Sequence, residues 1–323
     1  MNLNDASSRM PDVTRIPSQS TPFKEPTADN HLLGGFTWRH PRTDLERPIV
    51  IINAATSLRC RYYSRFADYL FANGLDVITY DYRGIGESRS GSLRSFKASW
   101  SDWGTLDFEA ILRRAQREFP GQPIDVVGHS FGGCAAGLGA SGAVIRRIVT
   151  VGAQFAYWRD YATRGRWQMV AKWHVLMPLL TALCGYFPGK RLGWLEDTPA
   201  GVVRDWATPT PRYETRPSGR DLGELPFSRV KAQLLAISLT DDPFGTVTAI
   251  ERLLGYFANS ERTHLRIAPE DIGEKQVGHF AFFRSEYQDR LWPIALAWLQ
   301  NDQLPADTLG ICANLRFNTH SEP

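Results

Sequence analysis

The chain holds four cysteines in 323 residues, Cys60, Cys134, Cys184 and Cys312, and no two stand at C-x-x-C spacing. A disulfide framework is therefore not the organising principle, and the thiols read as free in a reducing compartment. No stretch approaches the roughly 18–20 apolar residues that a spanning helix needs. The first 30 residues are polar, carry Pro11, Pro17, Pro22 and Pro26, and lack a continuous apolar core of the secretory type. Together these absences predict a cytoplasmic protein with no membrane span. A net charge of +3 gives no argument for a nucleic-acid partner. There is no H-E-x-x-H, no clustered His/Cys spacing and no G-x-x-x-x-G-K-[ST], so neither a metal nor a nucleotide cofactor is expected.

What is present is ordinary in bulk. Apolar residues make up 43% and charged residues 22%, as in soluble globular chains. The length suits one α/β domain with an insertion, or two domains. Aromatics reach 12%, with ten tryptophans. They fit either an apolar ligand cavity or an aromatic core, and composition alone leaves both open.

From about residue 31, strand and helix signals alternate. Strands are expected at 32–39, 48–52, 76–80, 124–127 and 145–151. Helices are expected at 59–73, with Phe66, Tyr69 and Leu70 on one face, and at 103–119. Continuous apolar strands between helices predict a mostly parallel sheet covered on both faces. The alternation breaks at 155–226, where Trp158, Trp167, Trp173, Trp194 and Trp206 occur with several prolines. It resumes with strands at 232–237 and 264–267, and with helices at 247–257 and 286–300. The expected division is a flexible arm at 1–30, an α/β core at 31–154 and 227–304, a helical insertion at 155–226, and a tail at 305–323.

The tightest local signal is Gly128-His129-Ser130-Phe131-Gly132, directly after an apolar strand and before small residues. G-x-S-x-G at that place makes a nucleophile elbow. The chain turns sharply from strand to helix, and the neighbouring glycines give the turn room. Ser130 then sits at a helix N-terminus, whose amides face a developing anion.

A serine hydroxyl needs a base, and the base needs an orienting carboxylate. The order nucleophile, acid, histidine is met by Ser130, then Thr240-Asp241-Asp242-Pro243, then Gly278-His279-Phe280. Asp242 is the expected triad acid and Asp241 a turn or cap residue, with the reverse assignment left open. Among seven histidines only His279 lies between the last expected strand and the final helix, since His320 falls in the tail. His129 reads as structural support beside the nucleophile. An oxyanion needs preorganised donors. The expected pair is the backbone N–H of Phe131 and that of Ala55, in the loop Asn53-Ala54-Ala55-Thr56.

At these residues the chain resembles the α/β-hydrolase superfamily. The segment Asp81-Tyr82-Arg83-Gly84-Ile85-Gly86-Glu87-Ser88 is similar to the D-x-R-G-x-G-x-S loop found beside such active sites, where Asp81 and Ser88 form the turn. The resemblance covers about residues 31–300. It extends to a bacterial group of predicted α/β hydrolases that carry the same T-D-D-P-F and G-H-F segments. The superfamily's usual His-Gly oxyanion dipeptide is replaced here by Asn53-Ala54. What the resemblance implies is the α/β-hydrolase fold, a mostly parallel sheet flanked by helices, with a helical lid formed by the insertion.

The function expected is a serine hydrolase that cleaves a carboxylic ester or thioester through an acyl-enzyme on Ser130, with no cofactor. Two alternatives stay open. The same triad serves an acyltransferase or perhydrolase, and the same fold serves as a non-catalytic ligand-binding protein. Trp158, Trp167 and Trp173 are candidate substrate-binding residues, or they only pin the insertion to the core. Residues 155–230 hold eleven Lys/Arg against seven Asp/Glu. That excess suits an acidic carrier or an anionic substrate end, or simply a solvated helix face.

Overall fold

The structure is a computed structural model and describes residues 19–41 and 44–314, except for the side chain of Asp221. Eleven strands occur among the described residues. In chain order they are β1 (Thr21–Pro26), β2 (Leu32–Trp38), β3 (Ile49–Asn53), β4 (Asp76–Tyr80), β5 (Ile124–His129), β6 (Ile145–Val151), β7 (Tyr186–Phe187), β8 (Thr198–Pro199), β9 (Gln233–Leu239), β10 (Glu261–Ile267) and β11 (Ile311–Asn314). Nine form one sheet in the order β1-β2-β4-β3-β5-β6-β9-β10-β11, and β7 and β8 pair separately.

The run β4-β3-β5-β6-β9-β10 is parallel throughout. Every residue of β3, β4 and β5 is buried, as their unbroken apolar runs require of strands covered on both faces. Each fully buried Ile or Val adds about 1.5–3 kcal/mol relative to exposure, so the Ile49–Ile52 run makes β3 a central strand. Helices Ser64–Ala72, Phe131–Ala136 and Trp292–Asn301 pack on β4, β5 and β6. The Phe66 and Trp292 rings meet edge-on, with centroids 5.3 Å apart, and link the first helix to the last.

Two expectations are corrected. Residues 21–26 were expected within a flexible arm, but they form edge strand β1, antiparallel to β2 from Thr21↔Thr37 to Pro26↔Leu32. Part of the expected tail forms β11, antiparallel to β10. Both are edge strands whose order comes from a partner far away in sequence. Arm residues 1–18 and tail residues 315–323 lie outside the described residues. The last helix begins at Trp292, later than expected. Pro293 lacks an N–H and belongs in a helix's first turn.

The segment between β6 and β9 carries the helical stretches Arg166–Val170, Ala171–Leu176 and Met177–Cys184, which run on without a break. Gly185, at φ +79°, ends them. The short pair β7 and β8 and the helix Ala200–Ala207 follow. No helix of the described residues is long and apolar enough to cross a membrane.

Candidate active site

β5 ends at His129, and the helix Phe131–Ala136 starts two residues later, with Ser130 between them at φ +53°, ψ −121°. A non-glycine residue held there costs on the order of 1–3 kcal/mol. The surroundings enforce it. The Ser130 N–H donates to the Val151 carbonyl at 2.9 Å, and a Cβ on Gly132 would overlap the Asn53 carbonyl oxygen. Asn53 ties the elbow to β3. Its Nδ2 donates to the Gly132 carbonyl at 3.2 Å, and its Oδ1 accepts from the Tyr80 hydroxyl at 2.9 Å. The Asn53-Ala54 dipeptide is thus a strap between strand and elbow.

Asp242 follows β9, and its Oδ2 accepts from His279 Nδ1 at 2.7 Å, while its Oδ1 accepts from the Phe244 N–H at 2.8 Å. Burial pushes the Asp242 carboxyl up. The His279 ring and the N–H groups of Gly245 and Phe244 outweigh it and hold the group below the usual carboxylate value. Asp241 points the other way. Its Oδ2 accepts from the N–H groups of Val277 and Gly278 at 2.8 and 2.9 Å, and so fastens the loop that presents His279. Gly152, just past β6, has φ +56°, and a Cβ there would stand 2.9 Å from Asp242 Oδ2 and 3.1 Å from His279 Nδ1. Only glycine lets the chain pass so close to the pair.

His129 is fully buried beneath His279. The Ala55 N–H donates to the Tyr63 hydroxyl at 2.8 Å, so that oxygen's single hydrogen is left for His129 Nδ1, also at 2.8 Å. His129 Nε2 then carries the ring proton and donates to the His279 carbonyl at 2.9 Å. The ring is therefore neutral. Burial above all, then the neighbouring His279, pushes its pKa down to about 3. This relay joins the loop after β3 to the histidine loop.

It also corrects one expectation, since the Ala55 N–H is engaged by Tyr63 and is not left open toward Ser130. The adjacent Thr56 side chain offers another donor. Its Oγ1 accepts from Trp100 Nε1 at 3.2 Å, so the hydroxyl hydrogen is directed elsewhere. The Phe131 N–H opens a helix and has no intrahelical acceptor. The Phe131 ring stacks on Trp100, with centroids 4.9 Å apart.

Ser130, His279, Ala55 and Thr56 line one cavity with Gln154, Trp173, Leu195, Trp206, Phe244 and Phe280. Its volume is about 20 Å³, room for roughly one water. Of the three candidate substrate tryptophans, the structure places only Trp173 in this cavity. Trp167 is 69% exposed, and Trp158 packs against it with centroids 5.7 Å apart. Sequence reasoning missed Tyr63, Gln154, Trp206 and Phe244 as parts of the site. Phe244 alone had a local signal, closing the T-D-D-P-F segment. Its ring centroid lies 4.9 Å from that of His279.

The D-x-R-G-x-G-x-S loop forms a turn. Asp81 accepts from the N–H groups of Cys60 and Glu87 at 2.6 and 2.7 Å, and Ser88 Oγ donates to the Asp81 carbonyl. Burial raises the Asp81 pKa to about 6.

The family model described as serine aminopeptidase, S33, matches residues 46–200, slightly under half of the chain. The match includes Ser130 and stops short of Asp242 and His279. Among solved structures, an esterase from Pyrococcus furiosus is similar with a TM-score of 0.55 and 17% identity, over 90% of this chain and 92% of that one. An α/β serine hydrolase without lid from Xanthomonas campestris is similar at 0.50 and 14%, over 90% and 98%. A puromycin-hydrolyzing peptidase from Mycobacterium tuberculosis is similar at 0.51 and 15%, over 89% and 40%. At such identities the likeness is one of fold.

Proposed function

The chain is an α/β hydrolase by fold, and on that premise we propose that it is a serine hydrolase cleaving carboxylic esters or thioesters through an acyl-enzyme on Ser130. One observation carries the reading: Ser130 stands at a strained strand-to-helix elbow and lines the same cavity as His279, whose Nδ1 is bonded to Asp242 at 2.7 Å.

With Nδ1–H directed at Asp242, the Nε2 lone pair of His279 is left to take the proton of Ser130 Oγ as it attacks the acyl carbon. Asp242 stabilises the imidazolium that forms. The tetrahedral oxyanion is held by the Phe131 N–H and the Thr56 hydroxyl. On collapse, His279 gives its proton to the leaving oxygen or sulfur. Water, activated by the same ring, then attacks the acyl-enzyme and frees the acid and Ser130.

The cavity lining favours a neutral, apolar acyl group. Trp173, Leu195, Trp206, Phe244 and Phe280 dominate it, and no carboxylate lines it. An aminopeptidase needs an anion for the substrate's ammonium group, because an unpaired buried cation is costly, so an ester or thioester suits this lining better than a peptide N-terminus. We place the protein in the cytoplasm, in keeping with four cysteines that form no disulfide. The segment 155–226 serves as the lid over the cavity, through Trp173, Leu195 and Trp206.

The test is a panel of aryl esters and acyl thioesters of increasing chain length, with the released acid quantified. Turnover that vanishes in Ser130→Ala is expected. Equal turnover in that variant overturns the reading.

A further inference from the structure

The helical run Arg166–Cys184 buries Met169, Trp173, Met177 and Thr181, which recur every fourth residue along one face. A surface helix normally turns a polar face outward. This one exposes Trp167, Val175, Leu176, Leu179 and Leu183, each 40–75% open to solvent. So large a group of outward apolar side chains on one element marks an interaction surface.

Charge indicates what covers it. Residues 161–195 contain five Lys/Arg and no Asp or Glu. Arg164 and Arg166 stand at the start of the helix, and Lys190 and Arg191 lie just beyond its end. Among the described residues none of these four side chains is in an ion pair. Asp197 accepts from the Lys190 backbone N–H and is paired through its carboxylate with Arg89 at 2.9 Å. An isologous dimer through this face would set like charges against one another. An anionic lipid surface matches both features, taking the apolar side chains into its acyl boundary and the cations at its headgroups.

We propose that the outer face of the 166–184 helix docks on an anionic phospholipid bilayer. The inner face of the same helix carries Trp173 into the cavity beside Ser130, so docking surface and site entry share one element. Docking does not depend on the chemistry assigned to Ser130. Delivery of a bilayer-borne ester to the site rests on the proposed function.

The experiment is flotation of the full chain with large unilamellar vesicles of phosphatidylglycerol and phosphatidylcholine in equal parts, against pure phosphatidylcholine. The expected result is binding to the anionic vesicles, at least tenfold weaker binding to the neutral ones, and weakening by added salt. The double variant Leu179→Asp with Leu183→Asp should lose at least tenfold in vesicle affinity while keeping its melting temperature and its turnover of a water-soluble ester. Ser130→Ala should float like the wild type, which separates failure of docking from failure of the hydrolase reading. Absence of flotation with anionic vesicles overturns the proposal. So does a dimer in sedimentation velocity that the double variant dissolves, which assigns the face to a second copy.

Discussion

Asp242 and His279 lie 37 residues apart in the chain, and their side chains meet at 2.7 Å. The neighbouring Asp241 binds the backbone of the same histidine loop without touching the ring. Two adjacent acids thus have separate tasks, one orienting the imidazole and one holding the loop that carries it. Asp242→Asn should lower kcat by about 10³–10⁴-fold, because the amide favours the wrong tautomer of His279. Asp241→Asn keeps one acceptor oxygen for the two amides. It should cost far less in kcat and should lower the melting temperature. Steady-state kinetics and thermal melts of the two variants check this. Equal losses in kcat would contradict the division of labour.

Thr56 is assigned the second oxyanion contact. Thr56→Val keeps the shape and removes the donor, and should lower kcat by about 10²–10³-fold with little change in KM. Thr56→Ser should retain most of the rate. If the valine variant runs at wild-type speed, the Ala55 amide must leave Tyr63 and serve the oxyanion itself.

Arg216 is fully buried, and its guanidinium donates to the carbonyls of Asp205 and Phe155 near the end of the Ala200–Ala207 helix. Burial lowers its pKa, yet the carbonyls and the faces of Trp100 and Phe155 still hold the cation. Arg216→Met takes its donor from the Phe155 carbonyl and leaves the Asp205 carbonyl only the Thr208 N–H, at 3.4 Å. It should cost about 2–4 kcal/mol of stability, measured by urea denaturation, and should loosen the packing of Trp100 on Phe131. An unchanged urea midpoint would show that Arg216 is not the clamp.

His129 links folding to pH. Its pKa falls from the ordinary value of 6.5 to about 3 in the folded chain, so between those values the unfolded state binds more protons. Stability therefore rises with pH across that window, and is lost as pH drops from about 6.5 toward 3, with a slope of about 1.4 kcal/mol per unit for one proton. Asp81 works in the opposite sense, because burial raises its pKa to about 6. The cleaner observable is the difference between wild type and His129→Gln. That difference should shrink as pH falls from 6.5 to 4.5 in urea titrations. A difference independent of pH would mean that His129 does not titrate as described.

Much of the site was legible because its signals are local. The elbow, the paired acids and the glycine before His279 each lie within a few residues, and the parallel strands are unbroken apolar runs. What was not legible depends on partners distant in the chain. The pattern of β1, with Pro22 and Pro26, says little by itself, and its order comes from β2. The Ala55 amide looked open because its acceptor, Tyr63, is seen only once the loop folds back. Trp167 and Trp173 were grouped by composition. Six helical positions separate them by about 240°, so one faces outward and the other lines the cavity.

The central claim is that Ser130 is an activated nucleophile. It is tested most directly by incubating the folded protein with a fluorophosphonate and mapping the adduct by mass spectrometry. The account predicts one adduct, on Ser130, absent from Ser130→Ala and strongly slowed in His279→Ala. A folded wild-type protein that stays unlabelled, or is labelled elsewhere with Ser130 intact, would contradict it.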